Sequence, residues 1–307
     1  MRIIRGLPRQ ADTPIALTIG NFDGVHRGHQ AMLSRLVEAA EDLRLVPAVL
    51  TFDPHPREYF AREHAPPRIS TRRAKLELLR DAGVARTVIA RFGAALSQMS
   101  PQAFVDEVLV ARLGVRWLLV GNDFRFGKDR AGDVGLLRRC ARTFSVESMP
   151  MVEVDGERVS STAVREALAR GDIARANALC GRPFVIGGRV VHGDKRGRAL
   201  GFPTANLALQ GPGAVRGIFA VRVHGLGDAP RAGVASIGVR PTIDNHGKPL
   251  LEVYVFDFDE PIYGRRIGVE LLHKLRDEAR YDTLDALTRQ IRTDVAQARD
   301  WFSTHAH

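Results

Sequence analysis

Two histidines three positions apart, His26 and His29, stand where an apolar run gives way to a helical pattern. They lie in IGNFDGVHRGHQAML, residues 19 to 33, with Gly28 between them to let backbone or ligand approach closely. A helix amino terminus offers unpaired N–H groups and the positive end of a dipole, and both favour a phosphate. Two imidazoles there could donate hydrogen bonds to a polyphosphate and stabilise the charge that develops as its α-phosphoryl group is displaced.

Two other interpretations of the histidine pair stay open. The pair could be ordinary half-exposed loop residues, because a short motif is only a hypothesis. A zinc site is the other alternative, but it would need three or four ligands, and no Cys or Asp/Glu cluster nearby has a suitable spacing.

A second candidate phosphate contact lies in VSSTAVREAL, residues 159 to 168. Ser161 and Thr162 stand at the start of a helical pattern, and Arg165 follows one turn later. Hydroxyl residues at a helix start are usually N-caps, but an arginine can also fork onto a phosphate. We expect this helix start to act as an anion clamp.

The first half of the chain must position these residues, and its pattern alternates between strands and helices. A helical pattern begins near Gln30, and another begins at Ser100-Pro101 and is ended by Gly114. Five apolar runs predict strands: Ile15–Ile19, Val46–Phe52, Thr87–Ala90, Trp117–Val120 and Ser145–Val154. The alternation predicts a parallel, Rossmann-like sheet covered on both faces, with ligands bound along the edge where the strands end.

The second half predicts an antiparallel barrel or sandwich with a helix after Thr283. Its strand-like runs are Phe184–Val191, Gly217–Val223, Ala232–Val239, Leu251–Phe258 and Ile267–Leu275. Two short helical patterns near 161–170 and 172–180, ended by Gly171 and Gly181, join the halves. We place the boundary near 182, which predicts domains of 1–182 and 183–307.

Composition narrows the possible partners and the cellular compartment. The 307 residues carry a formal charge of +10, which suits polyanions, but scattered arginines argue against a nucleic-acid partner. The two distant cysteines, Cys140 and Cys180, predict a reduced cytoplasmic protein without a disulfide. No apolar run approaches the ~20 residues that span a membrane, so we expect no membrane partner. The sequence leaves the oligomeric state open.

A glycine-rich segment in the second half, residues 188 to 209, could bind a nucleotide and a metal ion. Its glycines would by default belong to a mobile hairpin loop, and no Gly-Lys-Ser/Thr closes it as a Walker A loop. Thr204 and Asn206 point to the same face if this segment is extended. Their hydroxyl and amide oxygens suit Mg²⁺ that bridges ATP phosphates.

Four segments of the first half resemble, in order, the adenylyltransferase module of bacterial FAD synthetases. They are GNFDGVHRGHQAML, TFDPHPREYF, VGNDFRFGKDRAGDVGLL and VSSTAVREALARGDI, which span residues 20 to 173. The resemblance implies that the phosphate of FMN attacks the α-phosphorus of ATP and expels pyrophosphate, with His26, His29 and Arg165 as the catalytic residues.

The same resemblance implies which residues bind the two substrates. The implied nucleotide contacts are Gly20, Asn21, Phe22, Gly24, Gly28, Ser161 and Thr162. The implied flavin contacts are Asp53, His55, Pro56, Arg57, Asn122, Asp123, Phe124 and Phe126. The flavin loops mix aromatic with polar residues, as a flavin ring requires, although aromatic packing at strand ends is the alternative.

The second half resembles riboflavin kinases through the glycine-rich segment and three further motifs: ASIGVRPTID, LEVYVFDFDEPIYG and LLHKLRDEARYDTLDALTRQIRTDVAQAR. The resemblance implies that Glu252 is the general base for the 5′-hydroxyl of riboflavin as it attacks the γ-phosphoryl group of ATP. Tyr254, on the same expected strand face, stands where the family more often has His. The implied nucleotide contacts are Gly193, Gly197, Arg198, Gly201, Phe202 and Pro203, and candidate flavin contacts are Arg276 and Glu278.

Together the resemblances predict a bifunctional enzyme of flavin cofactor biosynthesis. Its substrates would be riboflavin, FMN and ATP, its cofactor Mg²⁺, and its products FMN and FAD. One alternative is a nucleotidyltransferase for another phosphorylated acceptor, which would have no use for a kinase-like second half. Another is a non-catalytic, basic nucleic-acid-binding regulator, which would bind a duplex with steep salt dependence.

Overall fold

The computed structural model describes residues 1–61, 64–193, 200–209, 213–239 and 249–305. Gly197 and Arg198, two predicted nucleotide contacts, lie outside these residues. The chain divides into two compact units, one of residues 1–66 and 72–160 and the other of residues 67–71 and 161–307.

The first unit contains a parallel sheet, as predicted. Six strands of the described residues form it in the order β1-β4-β3-β2-β5-β6, and every neighbouring pair is parallel. The strands are β1 (Arg2–Arg5), β2 (Ile15–Ile19), β3 (Val46–Asp53), β4 (Arg86–Arg91), β5 (Val115–Gly121) and β6 (Ser145–Met149).

Helices cover both faces of this sheet, so all five residues of β2 are buried. Leu17 packs in one cluster with Leu109, whereas Ala16 packs in another with Leu33 and Leu36. The helices are α1 (Arg27–Asp42), α2 (Pro56–Phe60), α3 (Arg72–Asp81), α4 (Ala94–Ser97), α5 (Pro101–Ala103), which continues as a π-helix (Phe104–Arg112), and α6 (Val134–Cys140).

A short hairpin follows β6, made of β7 (Glu153–Val154) and β8 (Glu157–Arg158).

N-capping side chains and prolines explain several helix and strand ends in this unit. Two of these ends differ from the prediction. Ser100 caps the helix as predicted, because its hydroxyl accepts from the Ala103 N–H at 3.1 Å. However, α1 begins three residues before Gln30, because the His26 side chain serves as its N-cap. The predicted strand Ser145–Val154 ends at Met149, directly before Pro150, which cannot donate a ladder hydrogen bond.

The second unit contains a closed antiparallel barrel, which decides between the predicted barrel and sandwich. Its strand order is β10-β13-β12-β11-β14-β9, closed by pairing of β9 with β10. The strands are β9 (Val185–Val191), β10 (Ala205–Ala208), β11 (Gly217–His224), β12 (Arg231–Val239), β13 (Pro249–Val255) and β14 (Arg266–Arg276). Two helices, α7 (Ser161–Arg170) and α8 (Ile173–Cys180), group with this unit. The predicted domain boundary near 182 stays a prediction.

The last helix, α9 (Leu284–Thr304), packs against the outside of the barrel. Thr283 caps it, because the Thr283 hydroxyl accepts from the Ala286 N–H at 3.1 Å. Its half-buried or buried side chains Val295, Ala298 and Trp301 join a cluster with residues of β11 and β12. No helix of the described residues is long and apolar enough to cross a membrane.

Candidate functional site

Three predicted site segments begin at one edge of the parallel sheet. The neighbouring strands β3, β2 and β5 run in the same direction, so their carboxyl ends lie side by side. The segment 20–26 follows β2, Asp53 ends β3, and Asn122 directly follows β5. This edge is where open α/β sheets bind ligands.

His26 and His29 form a stacked pair at the start of α1. Their ring centroids lie 3.7 Å apart with an interplanar angle of 18°, and His26 is almost completely buried. The Nδ1 atom of His26 accepts from the His29 backbone N–H at 3.4 Å. A neutral His26 ring that accepts at Nδ1 carries its proton on Nε2.

Glycine allows the His26 ring to lie against the first turn of α1. A Cβ on Gly28 would stand 3.3 Å from the Cε1 and Nδ1 atoms of His26, a close approach that a side chain would crowd. Gly28 therefore acts through packing, whatever it contributes to ligand binding.

The loop that leads to the histidines has a strained backbone. Two of its non-glycine residues are left-handed, Phe22 at φ 49° and Val25 at φ 39°. Such conformations persist only where the surroundings enforce them. The Phe22 ring is fully buried and packs against His29 at 4.9 Å, while the Gln30 side chain donates to the Val25 carbonyl at 2.8 Å.

The predicted flavin segment after β3 is held by local contacts. Asp53 pairs with Arg72 at 2.9 Å. His55 caps α2, since its Nδ1 accepts from the Arg57 N–H at 3.0 Å, and Glu58 accepts from the His55 N–H at 3.0 Å. Pro56 occupies the first turn of α2. His55 thus has a structural role that its motif did not indicate, and flavin binding by this segment stays a prediction.

A partly exposed aromatic cluster lies beside this segment. The ring of Phe92, directly after β4, lies 5.6 to 5.7 Å from the rings of Phe52, Tyr59 and Phe60 in edge-to-face geometry. Phe60 is 68% exposed, so this cluster offers an apolar surface at the carboxyl edge of the sheet.

The predicted flavin segment after β5 divides into surface and core residues. Asn122 and Asp123 are exposed, and Asp123 pairs with Arg158 at 2.5 Å. The half-buried Phe124 stacks at 5.6 Å on Phe126, which lies in the core cluster at 6% exposure. Phe124 is therefore the aromatic residue of this segment that a ligand can reach, and Phe126 supports it.

The second predicted anion clamp belongs to the second unit. Ser161 begins α7, Thr162 is exposed, and Arg165 donates from Nε to the Pro67 carbonyl at 2.7 Å. The contact with Pro67 holds the Arg165 guanidinium in one orientation. A combined phosphate clamp with the two histidines stays a prediction.

On the barrel, strand register places Glu252 between two polar residues. Glu252 lies opposite Asn206 on β10 and opposite Ser236 on β12. Along β13 the buried residues Leu251 and Val253 alternate with half-buried Glu252, so Glu252 points away from the barrel interior. The predicted general base thus stands on the outer barrel wall beside a predicted metal ligand.

Asn206, a predicted metal ligand, is held by contacts on both sides of its amide group. Its amide nitrogen donates to the Thr204 carbonyl at 3.2 Å, while its Oδ1 atom is buried without a hydrogen-bond partner among the described residues. Gly193 covers it, since a Cβ there would lie 2.5 to 2.7 Å from the Asn206 amide atoms. An unsatisfied amide oxygen fits Mg²⁺, which prefers oxygen ligands.

Tyr254 lies on the same strand face as Glu252, as predicted. Its ring meets Phe202 edge-to-face at 5.4 Å and Phe256 at 5.8 Å. Tyr254 thus contacts Phe202, a predicted nucleotide contact, and also belongs to the hydrophobic cluster beneath α9. These aromatic neighbours explain how the structure accommodates a tyrosine ring at this position.

The candidate flavin contacts after β14 are held internally. Arg276 forms a bidentate pair with the buried carboxylate of Asp294, donating from Nε at 2.7 Å and from Nη2 at 2.6 Å. These hydrogen bonds raise the pKa of Arg276. The Glu278 carboxylate lies against the backbone of Gly238, and partial burial raises its pKa despite the opposing effect of Arg216. Arg276 thus ties β14 to α9, and a flavin contact by either residue stays a prediction.

Comparison with known protein families finds two matches along the chain. The family described as FAD synthetase matches residues 9–163, and the family described as riboflavin kinase matches residues 180–302. The first match contains strands β2 to β6 of the parallel sheet and the start of α7, and the second contains the barrel and most of α9.

Individual relatives are similar over nearly the whole chain. The bifunctional riboflavin kinase/FMN adenylyltransferase of Escherichia coli strain K12 is 44% identical over 98% of each chain. That of Pseudomonas fluorescens is 46% identical over 100% of each chain. A crystal structure described as a macrolide-efflux protein from Streptococcus pneumoniae matches with a TM-score of 0.82 and 28% identity, covering 98% of this chain and 100% of that chain.

We expect Gly193→Ala to displace the Asn206 side chain, because the new methyl group would overlap its amide. Overpacking of this kind costs about 1–3 kcal/mol of unfolding free energy. The measurement is the side-chain amide signal of Asn206 in a ¹H–¹⁵N spectrum, together with denaturant unfolding. Gly187→Ala, on the strand β9 that precedes Gly193, is the matched control, since its Cβ would meet only the Ile267 carbonyl oxygen at 4.0 Å. An unmoved Asn206 signal in Gly193→Ala would contradict the expectation.

Proposed function

Because this chain belongs to the family of bifunctional riboflavin kinases/FMN adenylyltransferases, we propose that it converts riboflavin to FMN and FMN to FAD in two ATP-dependent steps. The main support for the kinase step, from riboflavin to FMN, is the pairing of β10 with β13, which sets Asn206 directly opposite Glu252. The second step rests on the histidine pair at the carboxyl edge of the parallel sheet.

In the kinase step, Glu252 accepts the proton of the riboflavin 5′-hydroxyl. The hydroxyl oxygen attacks the γ-phosphorus of ATP, and the bond between this phosphorus and the bridging oxygen of ADP breaks. Glu252 suits this role because it sits on a rigid strand, half-buried on the outer barrel wall.

Thr204 and Asn206 would hold Mg²⁺ for this step. The Oδ1 atom of Asn206, which has no hydrogen-bond partner within the described part of the chain, supports this assignment, and Thr204 lies two residues earlier. Bound Mg²⁺ neutralises charge on the ATP phosphates. Gly193, Gly201, Phe202 and Pro203 border the same segment and would contact the nucleotide.

In the adenylyltransferase step, a phosphate oxygen of FMN attacks the α-phosphorus of ATP and pyrophosphate leaves. His26 and His29 donate hydrogen bonds to the transferring group, and Ser161, Thr162 and Arg165 complete the stabilisation of its charge. No side-chain nucleophile is required, because the attacking oxygen belongs to the substrate.

The flavin of this second step would lie along the same sheet edge. The exposed ring of Phe60 and the half-buried ring of Phe124 offer apolar contact, while Asp53, Arg57 and Asn122 offer polar groups nearby. Such a mixture suits an isoalloxazine ring with a charged ribityl phosphate.

The direct test is to incubate the purified protein with riboflavin, ATP and Mg²⁺ and to resolve flavins chromatographically. We expect FMN to appear first and FAD to follow, with pyrophosphate released in the second step. Omission of Mg²⁺ should stop FMN formation. If neither FMN nor FAD forms, the proposal is wrong, and turnover with another phosphorylated acceptor would favour the alternative nucleotidyltransferase.

We expect His29→Ala to lower FAD formation by about 10²-fold or more, because it removes a donor to the transferring phosphoryl group. FMN should still accumulate at the wild-type rate, as measured with riboflavin as substrate. His64→Ala is the control, since it changes an exposed histidine of the same unit. Retention of full FAD formation in His29→Ala would remove His29 from the mechanism.

We expect Glu252→Gln to lower riboflavin phosphorylation by about 10²–10⁴-fold, because glutamine cannot accept the hydroxyl proton. Supplied FMN should still become FAD in this variant, and an unchanged thermal unfolding curve should show that the barrel is folded. Glu260→Gln, an exposed glutamate beyond the same strand, should phosphorylate riboflavin normally. Normal kinase activity in Glu252→Gln would exclude Glu252 as the base.

A further inference from the structure

Lys75 lies on the face of α3 that packs against the sheet. Leu79, one turn further along α3, is fully buried, and Leu78 packs in the same cluster. A lysine on a helix face that packs in the core is unfavourable unless its ammonium group reaches polar acceptors. The three arginines of this helix differ, since Arg72, Arg73 and Arg80 are exposed and each pairs with an acidic residue.

The Lys75 ammonium group reaches the loop after β2. Its Nζ atom lies 3.1 Å from the Asn21 carbonyl oxygen and 3.2 Å from the Thr51 hydroxyl oxygen. Thr51 is completely buried on β3, and its hydroxyl donates to the same Asn21 carbonyl at 3.3 Å. Lys75 therefore joins the end of β3 to the first part of the loop that carries the histidines.

This contact falls where the backbone needs support. The residue after Asn21 is Phe22, which holds a left-handed φ of 49°. A non-glycine residue in this region is strained, so the surrounding contacts must enforce the conformation. Lys75 fixes the carbonyl at one end of the strained segment, and Gln30 fixes the Val25 carbonyl at the other.

The strained segment ends at the catalytic pair. Val25 directly precedes His26, which caps α1 and stacks on His29. A shift of the Asn21 carbonyl would therefore move the loop that sets the position of both rings. In a phosphoryl-transfer site, where catalysis depends on positioning, a displacement of about 1 Å costs up to ~10²-fold in rate.

We propose that Lys75 is a positioning residue of the adenylyltransferase site, which holds the Asn21 carbonyl so that the loop presents His26 and His29 to the transferring phosphoryl group. The proposal rests on the proposed function of this site. Lys75 acts through the loop and not through contact with the nucleotide.

The test compares Lys75→Met, which keeps the aliphatic stem but removes the donors, with Lys75→Arg, which keeps charge and donors. FAD formation from FMN should show a kcat lowered about 10- to 100-fold in Lys75→Met, as expected for a lost hydrogen bond from a charged group. The KM for ATP should change less than about threefold. Lys75→Arg should recover part of the kcat, and riboflavin phosphorylation should be unchanged in both variants.

Arg73→Met is the matched control, because it removes an exposed cation from the same helix. It should leave both activities unchanged. A rise in the KM for ATP with unchanged kcat in Lys75→Met would overturn the proposal in favour of direct nucleotide contact. Parallel loss of both activities would overturn it in favour of a general structural role.

A readout without turnover separates this proposal from the proposed function. The imidazole resonances of His26 and His29 should shift in substrate-free Lys75→Met and stay in place in Arg73→Met. Unchanged resonances in Lys75→Met would overturn the positioning role even if the wild-type protein makes FAD. Absence of FAD formation in the wild-type protein would instead overturn the function on which the role rests.

Discussion

Strand register is the constraint on which both candidate sites depend. In the barrel, backbone pairing sets Asn206 opposite Glu252 and Glu252 opposite Ser236. A slip of one residue along β13 would turn Glu252 into the barrel interior and expose Leu251 in its place. In the parallel sheet, the adjacency of β3, β2 and β5 brings three loops to one edge. The pairing thus determines which side chains can act together before any of them meets a ligand.

The two sites use this constraint in different ways. Glu252 and Asn206 project from the strands themselves, so their spacing follows from backbone geometry. The histidine pair lies beyond the end of β2, after a loop with left-handed residues, and needs contacts from other elements to keep its place. Phe22 supplies packing and Gln30 and Lys75 supply hydrogen bonds to loop carbonyls. A loop site of this kind requires more supporting residues than a strand site does.

The sequence predicts the elements that have a clear periodic pattern, but not the short strands or the pairing between distant strands. Periodicity correctly indicated the parallel sheet, the helices that open at Ser100 and Thr283, and the antiparallel second half. It missed β1 and β10, because four-residue strands are too short to show alternation and β1 is mostly exposed. It also left barrel and sandwich open. Closure depends on pairing between β9 and β10, which involves few residues, and on the pairing of β9 with β14, which are far apart in the sequence.

Residues with recognisable chemistry were easier to predict than the residues that support them. Lys75 lies 54 positions from Asn21, and only the tertiary structure brings its ammonium group to that carbonyl. Arg276 is a similar case, because the sequence does not indicate that Asp294, 18 positions away, accepts hydrogen bonds from its guanidinium group, and its predicted flavin contact stays a prediction. Motifs report the types of side chain that a reaction needs. The partners that orient or occupy those side chains come from distant positions, and their identity follows from packing, which local patterns do not encode.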